Sequence, residues 1–271
     1  MINLLIFIFL GFIQGITEPI PVSSSGHLLI FEKLIGGIDK VDYEILATIT
    51  NFGSFIAIVL VFKDEIIDLI KSFFGYLKTK EKKYYSNYKY CWYIVIGTIP
   101  AGIMGLLVTK LELLDFLEDN VKFVGAMLLV TALFLFLIKD FKGKKDKENI
   151  TLKDSIVIGL FQVVALFPGI SRSGSTIIGG MFREFKRETA FNFSFMLYLP
   201  ISIATGILGF KDLLEANLSI NDMMLYLMSA VVAFIFTYIS IRWFRDLVKK
   251  GKLIYFVYYC LIVGTLVLIF L

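Results

Sequence analysis

Six stretches of the chain are apolar almost without interruption: 44–62, 91–109, 121–138, 190–210, 223–241 and 253–271. Each runs roughly 18–21 residues, enough as a helix to cross the ~30 Å hydrocarbon layer of a bilayer. Each predicts a full transmembrane helix. Two further stretches, 1–31 and 155–182, are apolar overall but interrupted, the first by GITEPIPVSSSGHLLI (Gly15 to Ile30), the second by PGISRSG (Pro168 to Gly174). As one straight helix 155–182 would run about 42 Å at ~1.5 Å per residue, too long for an untilted span. Split at the break, neither half crosses alone. The lysine-rich 63–90 predicts a loop with some amphipathic helix.

Composition fixes the setting. Of the 271 residues 58% are hydrophobic and 15% aromatic, and mean hydropathy is +0.81, which a soluble domain does not tolerate. The pattern is that of a polytopic integral membrane protein whose constant partner is the lipid bilayer. The net charge of +4 calls for no nucleic acid, because the lysines fall in loops. Cys91 and Cys260 lie in apolar segments and read as buried thiols, without a disulfide framework or metal cage. No lysine or arginine precedes Lys33, so the N-terminus lacks the charged region of a secretory signal and reads as part of the mature fold.

Loop charge sets the topology. The loop 63–90 carries seven lysines against four acids, 139–153 six against three, and 242–252 five basic residues against one acid, whereas 32–44, 110–120 and 211–222 hold more acid than base. The positive-inside bias places the first set in the cytoplasm and the second outside. Span 121–138 then reaches the cytoplasm at Lys139, and span 190–210 leaves from the basic REFKRE loop (Arg183 to Glu188). The intervening 155–182 must begin and end on one side, as a re-entrant hairpin from the cytoplasm; by the same count 1–31 is a hairpin from outside. A shift of 148 positions pairs Gly11 with Gly159, Gln14 with Gln162, Ser23 with Ser171, Ser25 with Ser173 and Gly26 with Gly174, and Phe62-Lys63-Asp64 with Phe210-Lys211-Asp212. The expected fold is therefore all-α: a single membrane domain, 1–271, of six full transmembrane helices plus two re-entrant helical hairpins. It forms an inverted-topology repeat, with halves 1–148 (hairpin 1–31 and three spans) and 149–271 (hairpin 155–182 and three spans).

Non-helical backbone at membrane depth survives only where protein or a water-filled cavity satisfies its polar groups. Two hairpins from opposite faces bring their tips together near mid-bilayer, with Glu18, Ser23, Ser24, Ser25 and His27 on one tip. Ser171, Arg172, Ser173, Ser175 and Thr176 lie on the other. Arg172 offers a fork of donors to an oxyanion, and Glu18 and His27 offer a base, an acid or a metal ligand. A new helix starts near Gly26 and near Gly174, and helix N-termini favour phosphate. Plainer readings stand beside these. His27 can be a hydrogen-bonded helix contact and Glu18 a counter-ion for Arg172. Serines and glycines, Ser175 and Thr176 among them, can serve close packing. Gln14 and Gln162 can be interhelical hydrogen bonds, Lys63 and Lys211 interface markers, and Tyr84, Tyr85, Tyr88, Tyr90, Trp92 and Tyr93 an interfacial belt.

QGITEPIPVSSSGH resembles the first signature of the undecaprenyl-diphosphate phosphatase family, often associated with bacitracin resistance, and PGISRSGSTIIGG resembles the second. The likeness continues through the span after Ile45 to the aromatic YFVYY near the end (Tyr255 to Tyr259). The resemblance implies that Gln14 and Glu18 fill the acidic motif, Ser23, Ser24 and His27 the serine–histidine segment, and Ser171, Arg172, Ser173, Gly174 and Thr176 a phosphate-binding loop. It implies hydrolysis of the terminal phosphate of a polyprenyl diphosphate at an outward-opening site of the plasma membrane. A divalent cation, Mg²⁺ or Ca²⁺, assists, and the carrier lipid is recycled for cell-envelope polymers. Gln14 stands where many members carry glutamate, so a cation would rest mainly on Glu18 and the substrate's phosphates; Pro19 beside the second acid is also unusual.

The expected chemistry is phosphoryl transfer. Arg172, the backbone N–H groups of both tips and a Glu18-bound cation hold the diphosphate, with Ser23, Ser25 and Gly26 beside them. The attacking group is either Ser24 with His27 as general base or a water activated by His27 or Glu18. The rival reading is a secondary transporter or flippase for an anionic or lipid-phosphate substrate, which shares inverted repeats and broken helices but needs no nucleophile–base pair. The sequence sets no oligomeric state.

Overall fold

A computed structural model describes residues 2–35, 42–111, 120–216 and 218–271. Among these the regular structure is helical, with no strand. In chain order the helices are α1 (Ile2–Thr17), α2 (Ser24–Ile35), α3 (Tyr43–Val61), α4 (Lys63–Thr79), α5 (Lys82–Lys110), α6 (Val121–Ile138), α7 (Leu152–Val164), α8 (Arg172–Phe182), α9 (Arg187–Glu215), α10 (Ile220–Lys249) and α11 (Ile254–Phe270). Five of them, α3, α5, α6, α9 and α10, are long and apolar enough to cross a membrane. The sixth expected span, 253–271, forms α11, an apolar helix of 17 residues. Much of the acidic segments expected over 32–44 and 110–120 lies outside the described residues.

The segment 63–90 is more ordered than its charge suggests. After a turn at Phe62 the chain is helical from Lys63 to Thr79, and from Lys82 it is already part of α5. Leu69 and Ser72 are buried on one side of α4, and the tyrosines expected to form a belt pack on it: Phe73 stacks on Tyr88 with ring centroids 5.3 Å apart, and Tyr76 lies 4.6 Å from Tyr88. The aromatic surface holds α4 against the first turns of α5.

The long helices pack through small residues, as membrane helices do when close backbone contact drives association. A Cβ placed on Gly15 of α1 would sit 2.6 Å from Ala233 O on α10. One placed on Gly264 of α11 would sit 2.8 Å from Gly125 O on α6. Thr237 and Ser240 of α10 both donate to Gly15 O, at 3.1 and 2.9 Å, which fixes the depth of α1 along α10. In the same manner α7 lies along α5 and α3 along α10. Cys260 is buried and Cys91 partly so, both as free thiols.

A polar clasp closes the lysine-rich end. Thr151 and Asp154 form a capping box at the start of α7, and the wholly buried Asp154 carboxylate also accepts from Lys145 Nζ at 2.9 and 3.0 Å and from Arg183 Nε at 2.7 Å. Lys144 and Lys145 N–H both donate to Glu184 O at 2.8 Å, so the loop after α6 is tied to the loop after α8.

Candidate active site

The two breaks are built alike. In the first, the residues after α1 turn through Pro19 and Pro21, and Ser23 adopts a left-handed φ of 66° just before α2; its Oγ accepts from Gly26 N at 3.3 Å. In the second, Gly169 takes φ 95°, a conformation suited to glycine, and Ser171 caps α8 by accepting from Gly174 N at 3.1 Å. Ser23 and Gly26 are the residues that the 148-residue shift pairs with Ser171 and Gly174, so sequence correspondence and local geometry agree.

The tips touch. A Cβ on Gly26 would fall 3.2 Å from Gly169 Cα, and one on Gly174 would fall 3.2 Å from Pro21 Cβ. Ser173 Oγ donates to Ile20 O at 3.3 Å. Across this contact Arg172 Nη2 donates to Glu18 Oε1 at 2.8 Å. The other oxygen, Oε2, accepts from Gln14 Nε2 at 3.0 Å and from Ser24 Oγ at 2.5 Å. The guanidinium carbon of Arg172 stands 3.9 Å above the Tyr198 ring, a cation–π contact that fixes its plane, and Gln14 Nε2 also donates to Asn51 Oδ1 at 2.6 Å.

A small pocket of about 70 Å³ opens at this junction, lined on one side by Glu18, Ser23, Ser24 and Ser25 and on the other by Ser171, Arg172 and Ser173. Both α2 and α8 start beside it, so two helix N-termini add partial positive charge. Of the remaining sequence candidates, Gln14 stands behind Glu18, and Gly26 and Gly174 form the contact between tips. Thr176 is buried on the far side, where its Oγ1 meets Ser194 Oγ at 2.5 Å and Arg172 O at 3.0 Å; it supports α8 rather than lining the pocket. Ser175 is buried too.

His27 does not pair with Ser24. Its Nδ1 lies 2.7 Å from Ser23 O and its Nε2 lies 2.7 Å from Tyr259 Oη. A carbonyl only accepts, which puts the ring proton on Nδ1 and leaves Nε2 to accept from the tyrosine hydroxyl. Both ring nitrogens are thereby occupied, and Ser24 faces the Glu18 carboxylate instead. Gln162, the repeat partner of Gln14, is buried with neither amide atom partnered, so the interhelical hydrogen bond allowed for it is not made.

Three residues of the site escaped sequence reasoning. Asn51 is an amide in the middle of an otherwise apolar span, a visible signal. Tyr198 carries no such mark, and Tyr259, although it lies in the YFVYY stretch that shares the family likeness, carries nothing that points to His27.

Comparison with known proteins decides the family. The family model described as bacitracin resistance protein BacA matches residues 7–266. The chain belongs to the BacA family. Among curated relatives, undecaprenyl-diphosphatase 1 of Bacillus licheniformis is 42% identical over 266 residues, covering 97% of each chain. Undecaprenyl-diphosphatase 2 of Bacillus thuringiensis is 41% identical, over 98% of this chain and 97% of its own. The undecaprenyl-diphosphatase of Oceanobacillus iheyensis is 39% identical, over 97% and 94%. Membership in the BacA family together with five spanning-length helices makes this a multi-pass membrane protein.

As a cation site, this BacA-family pocket offers few free oxygens. Among the described residues no group of three His, Cys, Asp or Glu could hold a metal, and both Glu18 oxygens already accept hydrogen bonds. One buried oxygen, Gln14 Oε1, has no partner. That donor set suits a divalent cation that arrives on the substrate's phosphates and takes one or two protein oxygens. It does not suit a resident ion held by the protein alone.

Proposed function

We propose that this protein is a membrane undecaprenyl-diphosphatase, converting the lipid diphosphate to the monophosphate and inorganic phosphate so that the carrier lipid returns to cell-envelope synthesis. The observation that carries the reading is the Ser24–Glu18–Arg172 chain of contacts: a hydroxyl on one oxygen of a carboxylate and a guanidinium on the other. A transporter for an anionic lipid would use Arg172 but has no use for a serine hydrogen-bonded to a buried carboxylate.

The mechanism follows from these atoms. The terminal phosphate binds at Arg172 and the start of α8, where the guanidinium and backbone N–H groups neutralise and orient it. Ser24 Oγ attacks the terminal phosphorus as Glu18 takes its proton; the bond from that phosphorus to the bridging oxygen breaks, and the proton passes to the departing lipid monophosphate. Water then attacks the phosphoserine, giving a proton to Glu18, which hands it to Ser24 Oγ as phosphate leaves. His27, tied to Ser23 O and Tyr259, positions the turn that carries Ser24. When present, Mg²⁺ or Ca²⁺ on Glu18 and Gln14 Oε1 would neutralise charge on the diphosphate oxygens.

For topology, we read α1–α2 and α7–α8 as re-entrant hairpins from opposite faces, and α3, α5, α6, α9, α10 and α11 as spans. The pseudo-repeats are 1–148 and 149–271. Helix pairing supports this: α1 packs along α10, and α7, its repeat partner, along α5, the repeat partner of α10. Gly11 presses on α10 at Ser229 and its counterpart Gly159 on α5 at Gly97. Loop charge supports a site opening outward, on the acid-rich side of a cell membrane.

The test is phosphate release from undecaprenyl diphosphate by purified protein in detergent, with and without a chelator. Rapid acid quench should trap labelled phosphate on Ser24. Release requires no gradient; gradient-dependent uptake without release would instead make the protein a transporter. Chelation that left the rate untouched would remove the cation from the reading.

A further inference from the structure

The polar pocket does not end at Arg172. Ala165 and Arg172 line it and also line a cavity of about 650 Å³ between α5, α7 and α9. The walls of that cavity are apolar, with Val95, Ile99, Leu106, Leu166 and Ile201 among them. Ile99 and Leu106 are also exposed on the outer surface of α5, a helix long enough to span the membrane, so the cavity lies beside lipid.

Two features of this cavity have no role in the fold. The first is polar. Gln162 lines it with 2% of its surface exposed and neither amide atom has a partner; Arg172 Nη1 is likewise buried and unpartnered. Buried amides and guanidinium groups are nearly always satisfied, and exceptions call for an explanation, a bound water, ion or ligand among them. The second is steric. A Cβ on Gly102 would meet nothing within 4 Å, and one on Gly105 would meet only Leu166 Cδ2, at 3.8 Å. Gly97, on the same helix, is different: a Cβ there would lie 2.8 Å from Ser155 Oγ. Gly97 allows helices to meet, whereas Gly102 and Gly105 leave space.

We propose that this cavity takes the first isoprene units of the substrate tail and that Gln162 holds the phosphate to which the tail is attached, a reading that rests on the phosphatase activity proposed above. One molecule carries both chemistries that the walls offer: an anionic head for Arg172, a second phosphate for the Gln162 amide, and a hydrocarbon chain for the apolar lining. The amide donates to phosphate oxygen without adding charge, while Arg172 neutralises. A second apolar cavity, of about 490 Å³ and lined by Thr48, Phe52, Phe55, Gly206 and Phe210, shares no residue with the polar pocket. It provides the control.

The experiment compares kcat/KM for undecaprenyl diphosphate and for dimethylallyl diphosphate, which has a single isoprene unit, using full-length protein. Variants are Gly102→Trp, Gly105→Leu, Gln162→Leu and Gly206→Trp, each checked for monodispersity and melting temperature. Gly102→Trp or Gly105→Leu should lower the long-to-short ratio at least ~10-fold, the scale on which apolar pockets discriminate hydrocarbon. Gln162→Leu should lower kcat/KM about tenfold on both substrates, and Gly206→Trp should keep the wild-type ratio. An unchanged ratio in both folded α5 variants overturns the proposal, as does a shift seen only in Gly206→Trp. If the wild type releases phosphate from neither substrate, the phosphatase reading itself fails.

Discussion

Ser24 Oγ donates to Glu18 Oε2 across 2.5 Å, which puts the proposed nucleophile in contact with its proposed base although a turn of two prolines separates them. The pair acts as a unit, so its losses should not add. Ser24→Ala and Glu18→Gln are each expected to lower kcat by ~10²-fold or more, and the double variant by little beyond either single change. Phosphate-release kinetics on folded protein measures all three. A Ser24→Ala enzyme retaining half the wild-type rate would remove serine from the attack.

Arg172 is held by three things at once: the Glu18 carboxylate, the Tyr198 ring and its place at the start of α8. Lysine keeps the charge but loses the planar fork and the stacking. Arg172→Lys is therefore expected to lower kcat/KM ~10²-fold, while Tyr198→Phe, which keeps a ring under the guanidinium, stays within about tenfold of wild type. Equal activity of Arg172→Lys and wild type would mean that only charge matters there.

His27 is a positioning residue in this geometry. Tyr259→Phe removes one donor to Nε2 and is expected to cost roughly 1 kcal/mol of stability with kcat falling less than tenfold. His27→Ala leaves Tyr259 Oη without its acceptor and Ser23 O with only the residue-27 backbone N–H, and should cost ~1–3 kcal/mol, with a larger fall in kcat because the Ser24 turn loosens. Detergent melting curves beside turnover separate the two. Complete loss of turnover in a folded Tyr259→Phe variant would place the tyrosine in the chemistry itself.

The clasp at the lysine-rich end makes stability depend on acid. Burial pushes the Asp154 carboxyl up, but hydrogen bonds from Lys145, Thr151 and Arg183 outweigh it and hold the group below the usual carboxylate range. A carboxyl depressed on folding contributes stability that is present above its unfolded pKa and lost as pH falls through the folded one. The melting temperature should thus drop steeply in acid, below the ordinary aspartate range. Asp154→Asn should melt lower at neutral pH, by roughly 3–5 kcal/mol for a broken buried ion pair, and show a shallower acid dependence. A variant with the wild-type acid limb would assign that limb elsewhere.

Much of this was legible in the sequence where polar residues interrupt apolar ones. Pro19, Pro21 and PGISRSG mark the two breaks because backbone at that depth must be satisfied by something other than lipid. The constant shift from Ser23 to Ser171 foretells two matching caps. Contacts between distant apolar positions left no such trace. Tyr259 reaches His27 from 232 residues away, and an aromatic in a membrane helix looks the same whether it faces lipid or an imidazole. Within 63–90 the sequence predicts some amphipathic helix but not its extent from Lys63 to Thr79, because its charges suggest a loop while its aromatic face packs on the tyrosines of α5. Thr151 and Asp154 stand at capping-box spacing before an apolar run, but the two further donors to Asp154, Lys145 and Arg183, come from loops whose approach no local pattern encodes.

Glu18 and Arg172 are 154 positions apart, yet each is the other's counter-charge. During synthesis the first elbow is made long before the second, so its carboxylate waits with only neutral donors, Gln14 and Ser24, for company. The ion pair closes when the later elbow docks, and the nucleophile is fixed in the same event. On the proposed mechanism, activity should therefore arrive only with the second elbow, and a half-made chain would lack the hydrolytic centre.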